Sequence, residues 1–289
     1  MRPPTKALAR AKINLALHVT GQDRRGYHLL DSIVGFAAIG DWVYFHPGAR
    51  LSLDIGGPFG AGLDAGTDNL IWRAAELVGG TGSFRLDKCL PVASGIGGGS
   101  ADAAAALNLL SPTFGQPGVD AALSLGADIP VCLAGEPVRM GGIGGDLHKI
   151  TLPSFAMVLV NPGLSVSTKD VFNALKKKDN PALTGHPDTP DHTAWLDWLH
   201  AQRNDLAGPA IGLAPAIETC LIALRETGAD LVRMSGSGAT CFGLFRAQAN
   251  AISAAREIAR RHSNWWVKAT RLMGSEDPFD HVIRDTFEM

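Results

Sequence analysis

Only four cysteines occur in 289 residues, Cys89, Cys132, Cys220 and Cys241, and no two of them form a CxxC pair. That scatter excludes a zinc site and a dense disulfide framework, and points to reduced, mostly buried thiols. Charge of one sign is not in excess either, with 26 Lys and Arg against 28 Asp and Glu. A broad nucleic-acid or membrane-surface footprint is thereby excluded, although a local basic patch for a phosphorylated ligand is not. Long apolar runs are missing as well: stretches such as Phe155 to Val160 are far too short to cross a bilayer. Arg2, Lys6, Arg10 and Lys12 interrupt the start of the chain, so no signal peptide is expected. The expectation is a cytoplasmic protein with neither a nucleic-acid nor a membrane partner and with its oligomeric state unassigned.

What is present is enough apolar residue, 46%, for a sizeable core in one large or two ordinary domains. Ile13, Leu15, Leu17 and Val19 alternate with small or polar residues, the period of a half-buried strand over Ala11 to Thr20. Ile33 to Ile39 and Trp42 to Phe45 read as strands parted by a turn at Gly40-Asp41, with further strands at Leu51 to Ile55 and Ser83 to Leu86. Asn69 to Val78, the alanine-rich Ala101 to Leu110 and Asp120 to Leu125 read as helices, the second of them ended by Ser111-Pro112. Val131 to Leu133 reads as the start of a strand. Past Leu152 come a strand at Ala156 to Val160, an exposed loop from Lys176 to Asp191 and helices at Ala210 to Glu226 and Gln248 to His262. Strands at Leu231 to Met234 and Thr240 to Phe245 flank a Ser-Gly turn, and Trp265-Trp266 is expected in the core. The sum is an α+β chain of two packed lobes, 1–150 and 151–289. The acidic tail from Glu276 to Glu288 has no assigned role.

The most informative segment runs Pro91-Val92-Ala93-Ser94-Gly95-Ile96-Gly97-Gly98-Gly99-Ser100-Ala101-Asp102, straight into the alanine helix. Glycines let backbone amides approach an anion, and a helix start adds unpaired N–H groups and the positive end of the dipole. Ser100 is the candidate N-cap and an extra donor. No lysine lies in the loop, which excludes a Walker motif, and no acidic ribose ligand follows a second strand, which excludes a Rossmann fingerprint. Asp102 sets a negative charge beside the expected phosphates, serving either the helix dipole or a bound Mg²⁺. Two further constellations suit phosphoryl transfer. Lys12 and Asn14 share one strand face, and Asp128 sits in a Gly126-Ala127-Asp128-Ile129-Pro130 turn. Alone, the first fits a solvated strand face and the second an Asx turn. Tyr27-His28, after the basic turn Arg24-Arg25, suits either stacking on a planar base or a buried structural pair.

The glycine loop resembles the Pro-x-x-x-Gly-Leu-Gly-Ser/Gly-Ser motif of the GHMP kinases, which phosphorylate galactose, homoserine, mevalonate and related alcohols. Arg233-Met234-Ser235-Gly236-Ser237-Gly238-Ala239 resembles that family's late Ser-Gly-x-Gly turn. The resemblance implies a two-lobed α+β fold with the active site in the cleft between the lobes. It implies ATP held by Lys88 and by Pro91, Val92, Ala93, Ser94, Gly95, Ile96, Gly97, Gly98, Gly99, Ser100 and Ala101, with Mg²⁺ accompanying the nucleotide and no metal ligand assigned. It implies Asp128 as the base for the acceptor hydroxyl and Lys12 as its catalytic partner. Within the family, Asp41, Asp68-Asn69-Leu70, Leu90-Pro91, Asn161-Pro162-Gly163, Ser167-Thr168 and Asn204-Asp205-Leu206 add to the match, which runs in order from Ala9 to Phe245. They resemble the branch whose small-molecule acceptor is a methylerythritol carrying cytidine diphosphate, in isoprenoid precursor synthesis by the non-mevalonate route. That branch implies Tyr27 and His28 at the cytosine, Asn14 near the reacting hydroxyl and Thr168 on the substrate. The chain departs from the pattern at Ile96, Ala101 and Gly144-Gly145-Asp146. Another alcohol kinase of the homoserine or mevalonate class, and a non-catalytic nucleotide sensor on the same fold, are the alternatives.

Overall fold

The computed structural model describes residues 5–278 and 283–284. In chain order its elements are β1 (Thr5–Gln22), β2 (His28–Pro47), β3 (Ser52–Gly56), α1 (Leu70–Leu77), β4 (Gly82–Asp87), α2 (Gly98–Phe114), α3 (Val119–Leu125), α4 (Ile129–Ala134), β5 (Val138–Gly142), β6 (Asp146–Lys149) and β7 (Phe155–Asn161). There follow α5 (Thr168–Ala174), α6 (His192–His200), α7 (Ala207–Leu213), α8 (Ala216–Glu226), β8 (Leu231–Met234), β9 (Cys241–Phe245), α9 (Gln248–Arg261), β10 (Trp266–Leu272) and β11 (Ile283–Arg284). Most of the acidic tail lies outside the described residues.

Strand β2 is the spine. It pairs antiparallel with β1 along nearly its whole length, with β5 over Leu30–Val34, and with β4 over Trp42–Pro47. Between those two stretches, at Ala37, it meets Leu272 of β10, which leads on through β7 and β9 to β8. Gly40-Asp41 is therefore no turn. The strand runs through it, and the sequence irregularity there marks a register shift between Arg10 and Lys12 on β1. Bulges of this kind re-aim side chains, and here the residue re-aimed is Lys12.

Helices α1 and α2 pack on the β1–β2–β4 face, where Phe36, Val43, Phe45, Phe84 and Leu86 meet Ala101 and Ala104–Ala106. Small side chains on α2 let the helix lie close to the sheet. The helix starts earlier than its alanines and runs past Pro112 to Phe114. Val131 to Leu133 is helical, in α4, rather than a strand. A run that short carries no decisive period, whereas Pro130 in the first turn and left-handed Gly135 at the C-cap are helix punctuation. Ala210 to Glu226 is broken at Ala214-Pro215 into α7 and α8, with a bend of 119° between them. Among the described residues no single helix is long and apolar enough to cross a membrane.

Strand β1 is buried throughout Ala11–Val19, on both faces rather than one. Ile13 and Leu15 join a core containing Phe155, Phe242 and Trp195, so residues from both sides of position 150 share it. Trp265 and Trp266 are half-buried at the rims of two different cores, not inside one. The segment 176–191 is largely exposed, as expected, but Leu183 is buried and tied to Asp31 and Arg139.

A Cβ at Gly40 would stand 2.1 Å from the Ala9 carbonyl oxygen, backbone against backbone. Gly40→Ala is expected to lower stability by about 2–3 kcal/mol, read as a lower urea midpoint at unchanged slope. Gly48→Ala, where the nearest atom is 3.6 Å away, should shift stability by less than about 0.5 kcal/mol.

Candidate active site

The glycine loop closes on itself before it meets any ligand. Ser94 is buried and its hydroxyl donates to the Pro91 carbonyl at 2.6 Å. Ala93 holds φ at 49°, a left-handed value that costs a side-chain-bearing residue about 1 kcal/mol. Ile96 turns into the core, and its carbonyl accepts the Lys12 amide at 2.9 Å. The N-cap of α2 is Gly97, at φ 65°, not Ser100. Only glycine reaches that angle freely, and it places Gly98, Gly99 and Ser100 in the first turn with their amides uncapped.

Those residues line a cleft of about 370 Å³ together with Ala93, Ser94, Gly95 and Gly97. Lys12, Asn14, Asp128 and Thr168 line the same cleft, as do Leu17, Leu30, Phe172, Gly236 and Ser237. A smaller pocket of about 120 Å³ shares Ala93, Gly98 and Gly99 with it and adds Lys88, Pro91, Val92 and Asp102. Pro91 to Gly95 and Gly97 to Ser100 thus front one cavity or the other. Ile96 and Ala101 lie beneath the loop and support it.

Lys12 and Asn14 do share a face, and it faces the cleft rather than bulk solvent. Lys12 is 4% exposed and Asn14 is fully buried. The Lys12 ammonium donates to Asn14 Oδ1 at 3.0 Å and pairs with Asp128 Oδ2 at 2.9 Å. Asn14 is held in turn, its Nδ2 donating to Ser32 Oγ at 2.8 Å and Ser32 donating to the Ala16 carbonyl. Asp128 occupies the N-cap position of α4 but makes no capping bond. Its carboxylate is directed at Lys12 instead, so the Asx-turn reading is set aside. The stem of Lys12 lies along the loop: a Cβ on Gly97 would be 3.2 Å from Lys12 Cβ and Cε.

Tyr27 and His28 occupy the tip of the β1–β2 hairpin. Tyr27 is 59% exposed, with the Arg25 guanidinium 5.3 Å above its ring, so a buried structural pair is ruled out. His28 stacks on Phe172 of α5 at 4.6 Å, and Phe172 lines the cleft. Burial, then the Lys178 charge, lowers the His28 pKa, so the ring is neutral at pH 7. Its Nε2 is buried without a hydrogen-bond partner. Thr168 meets Ser237 hydroxyl to hydroxyl at 2.9 Å.

Lys88 and Asp102 are not surface charges. Lys88 Nζ stands 2.6 Å from both Asp41 Oδ2 and Asp102 Oδ2, all three side chains buried. Among the described residues no three His, Cys, Asp or Glu side chains group as a metal site. The donors for a caged divalent ion are therefore not assembled here, and an ion carried on nucleotide phosphates needs no such cage.

Sequence reading missed Phe172, which carries no local signal beyond an apolar helix position. It also missed the part played by Gly144. With φ at 109°, a Cβ there would stand 2.3 Å from the Ala127 carbonyl, so this glycine lets the β5–β6 turn press against the residue preceding Asp128.

A glycine-rich helix start and a Lys–Asp pair facing one cleft fit a small-molecule kinase of the GHMP class. Family models agree: residues 69–137 match the GHMP kinase N-terminal domain and residues 188–264 the GHMP kinase C-terminal domain. A crystal structure of L. major mevalonate kinase in complex with R-mevalonate shares the fold at TM-score 0.64 and 16% identity, covering 94% of this chain and 97% of its own. The chain belongs to the 4-diphosphocytidyl-2-C-methyl-D-erythritol kinase family. It is 53% identical to the enzyme of that name from Paracoccus denitrificans, over 91% of this chain and 95% of the relative. It is likewise 53% identical to the one from Cereibacter sphaeroides, over 93% and 100%. A crystal structure of 4-(cytidine 5'-diphospho)-2C-methyl-D-erythritol kinase superposes at TM-score 0.73 with 31% identity, covering 93% of this chain and 100% of its own. The chain is an ATP-dependent kinase of isoprenoid precursor synthesis.

Because Gly144 sets the backbone before Asp128, Gly144→Ala should misplace that carboxylate. Steady-state kinetics are expected to show kcat down by about tenfold or more, with the KM for ATP little changed.

Proposed function

We propose that the chain transfers the γ-phosphoryl group of ATP to the 2-hydroxyl of 4-diphosphocytidyl-2-C-methyl-D-erythritol. The observation that carries this reading is the 2.9 Å Lys12–Asp128 pair, open to the same cleft as the first-turn amides of Gly98, Gly99 and Ser100. Phosphates seated on those amides lie at the positive end of α2. The acceptor hydroxyl is placed by Asp128 and Asn14. As the hydroxyl oxygen bonds to the γ-phosphorus, its proton passes to the Asp128 carboxylate. The bond from phosphorus to the bridging oxygen breaks and ADP leaves. Lys12 offsets charge on the moving phosphoryl group and holds the aspartate in place. Mg²⁺ is assigned to the nucleotide phosphates, where it would neutralise their charge.

Recognition of the cytidine end is assigned to the hairpin tip and α5. An exposed Tyr27, a neutral His28 with an unused ring nitrogen, and Phe172 beneath it supply a stacking surface and a hydrogen-bonding group for a planar base. Thr168 reaches the cleft from the same side. The same reading puts the nucleotide-binding lobe before residue 150 and the second lobe after it. It also keeps the protein in the cytoplasm, without nucleic acid or membrane as partner.

Asp128→Asn should cut turnover by about 10²-fold or more at unchanged affinity for an ATP analogue; wild-type turnover in that variant would remove the mechanism. Transfer from ATP should depend on the cytidine diphosphate moiety. Equal rates on free methylerythritol would assign the site to a different alcohol.

A further inference from the structure

Three charged side chains are buried together beneath the first turn of α2. Lys88 lies between Asp41 and Asp102, at 2.6 Å from an oxygen of each, with exposures of 3%, 0% and 4%. Two carboxylates facing one ammonium leave a surplus negative charge in a place with little water. The carboxylates are not equivalent. Asp41 Oδ1 accepts the backbone N–H groups of Cys89 and Leu90, at 2.5 and 2.8 Å. Asp102 Oδ1 is buried and has no hydrogen-bond partner. An anionic oxygen left in that state costs more than a neutral carboxyl group does. The surplus charge is therefore removed most readily by a proton on Asp102.

The cluster also touches the phosphate loop. A Cβ on Gly98 would stand 3.1 Å from Lys88 Nζ and 3.7 Å from Asp41 Oδ2, and Lys88 and Asp102 line the small pocket with Gly98 and Gly99. We propose that Asp102 is a positioning residue that works in its protonated form, keeping the Lys88 cluster neutral under the phosphate loop, and that ATP binding takes up this proton whenever the free enzyme has lost it. The proposal rests on the reading of the loop as the ATP site.

Burial, with Asp41 adding to it and Lys88 opposing, raises the Asp102 carboxyl to about 8. Other titratable groups near α2 come from each element packed on it. Arg10 and Lys12 belong to β1, Asp41 to β2, and Lys88 and Cys89 to the connection after β4. Asp128 and Cys132 belong to α4 and its start, while Arg73 and Glu76 of α1 and Asp120 of α3 are exposed. Of these only Lys88 and Asp41 act directly on Asp102. Phosphates arriving beside the cluster add negative charge and push the carboxyl up further. Above pH 8, where a terminal phosphate is already fully ionised, affinity then falls by up to about tenfold per pH unit.

Titration calorimetry with a non-hydrolysable ATP analogue and Mg²⁺, run at pH 8.5–9 in two buffers of different ionisation enthalpy, counts the protons. Wild-type enzyme is expected to take up about 0.5 to 1 proton per analogue bound. Asp102→Asn, which keeps an oxygen for Lys88 but cannot titrate, should take up none, and its affinity, whatever its level, should not vary between pH 7 and pH 9. No uptake by wild type, or the same uptake by Asp102→Asn, overturns the proposal. If the analogue does not bind wild type at any pH, the ATP reading of the loop fails, and this proposal with it.

Discussion

The site depends on two glycine turns whose backbones touch with no side chain between them. A Cβ on Gly95 would stand 2.5 Å from the Ser235 carbonyl and 2.6 Å from the Gly238 amide, and one on Gly236 would stand 2.6 Å from the Gly95 carbonyl. Both glycines have positive φ, so the contact and the conformation make the same demand. Ser235 locks the pair to β1. Its hydroxyl accepts the Asn14 amide at 3.1 Å and donates to the Gly95 carbonyl at 3.0 Å. The Thr240 amide adds a bond to the Ser94 carbonyl. Glycine loop, late turn and the Lys12 strand are thereby one rigid unit, which is what the proposed in-line transfer across a few ångströms requires.

Behind that unit stand the buried Asn204 and the half-buried Arg233. Asn204 Nδ2 donates to the Met234 and Gly236 carbonyls while its Oδ1 accepts the Leu206 amide, so every group it has toward the turn is satisfied. Arg233 donates to the carbonyls of Leu15, Leu199 and Gln202. Burial lowers its pKa to about 10, which leaves it charged at neutral pH. A half-buried guanidinium is tolerated here because carbonyls at the end of α6 and on β1 replace much of its water. Its bond to the Leu15 carbonyl holds β1 one residue beyond Asn14.

Much of this was legible in the residues. The glycine run, the Lys-x-Asn strand and the Gly-Ala-Asp-Ile-Pro turn each announce unusual backbone or polar chemistry, and motif order along the chain identifies the family. Which face Lys12 and Asn14 occupy was not legible, because period-two alternation looks the same whether the polar face meets water or a cleft. Ser100 looked like a cap because serine commonly caps, yet a left-handed glycine three residues earlier already starts the helix. The Lys88 cluster needs three segments that are adjacent only after folding. Phe172 and Gly144 were invisible for the same reason: each matters through a neighbour distant in sequence.

The proposed reading puts catalysis and acceptor recognition on parts of unequal rigidity. Lys12 and Asn14 lie in a strand buried on both faces, whereas Tyr27 stands exposed at a hairpin tip. The hairpin is not loose at its base. Asp31 takes two bonds from Arg139 and one from the Leu183 amide, and Asn180 donates to the Val19 carbonyl. The segment after α5 is thus strapped across β1 and β2, so the stacked His28–Phe172 pair is fixed from both elements while the tip beyond it stays open. A hydroxyl must be aligned to a fraction of an ångström for transfer, but a stacked base tolerates sliding in its plane. In the proposed reading rigidity lies where the reaction needs it, and the least buried residues are assigned the task that tolerates adjustment.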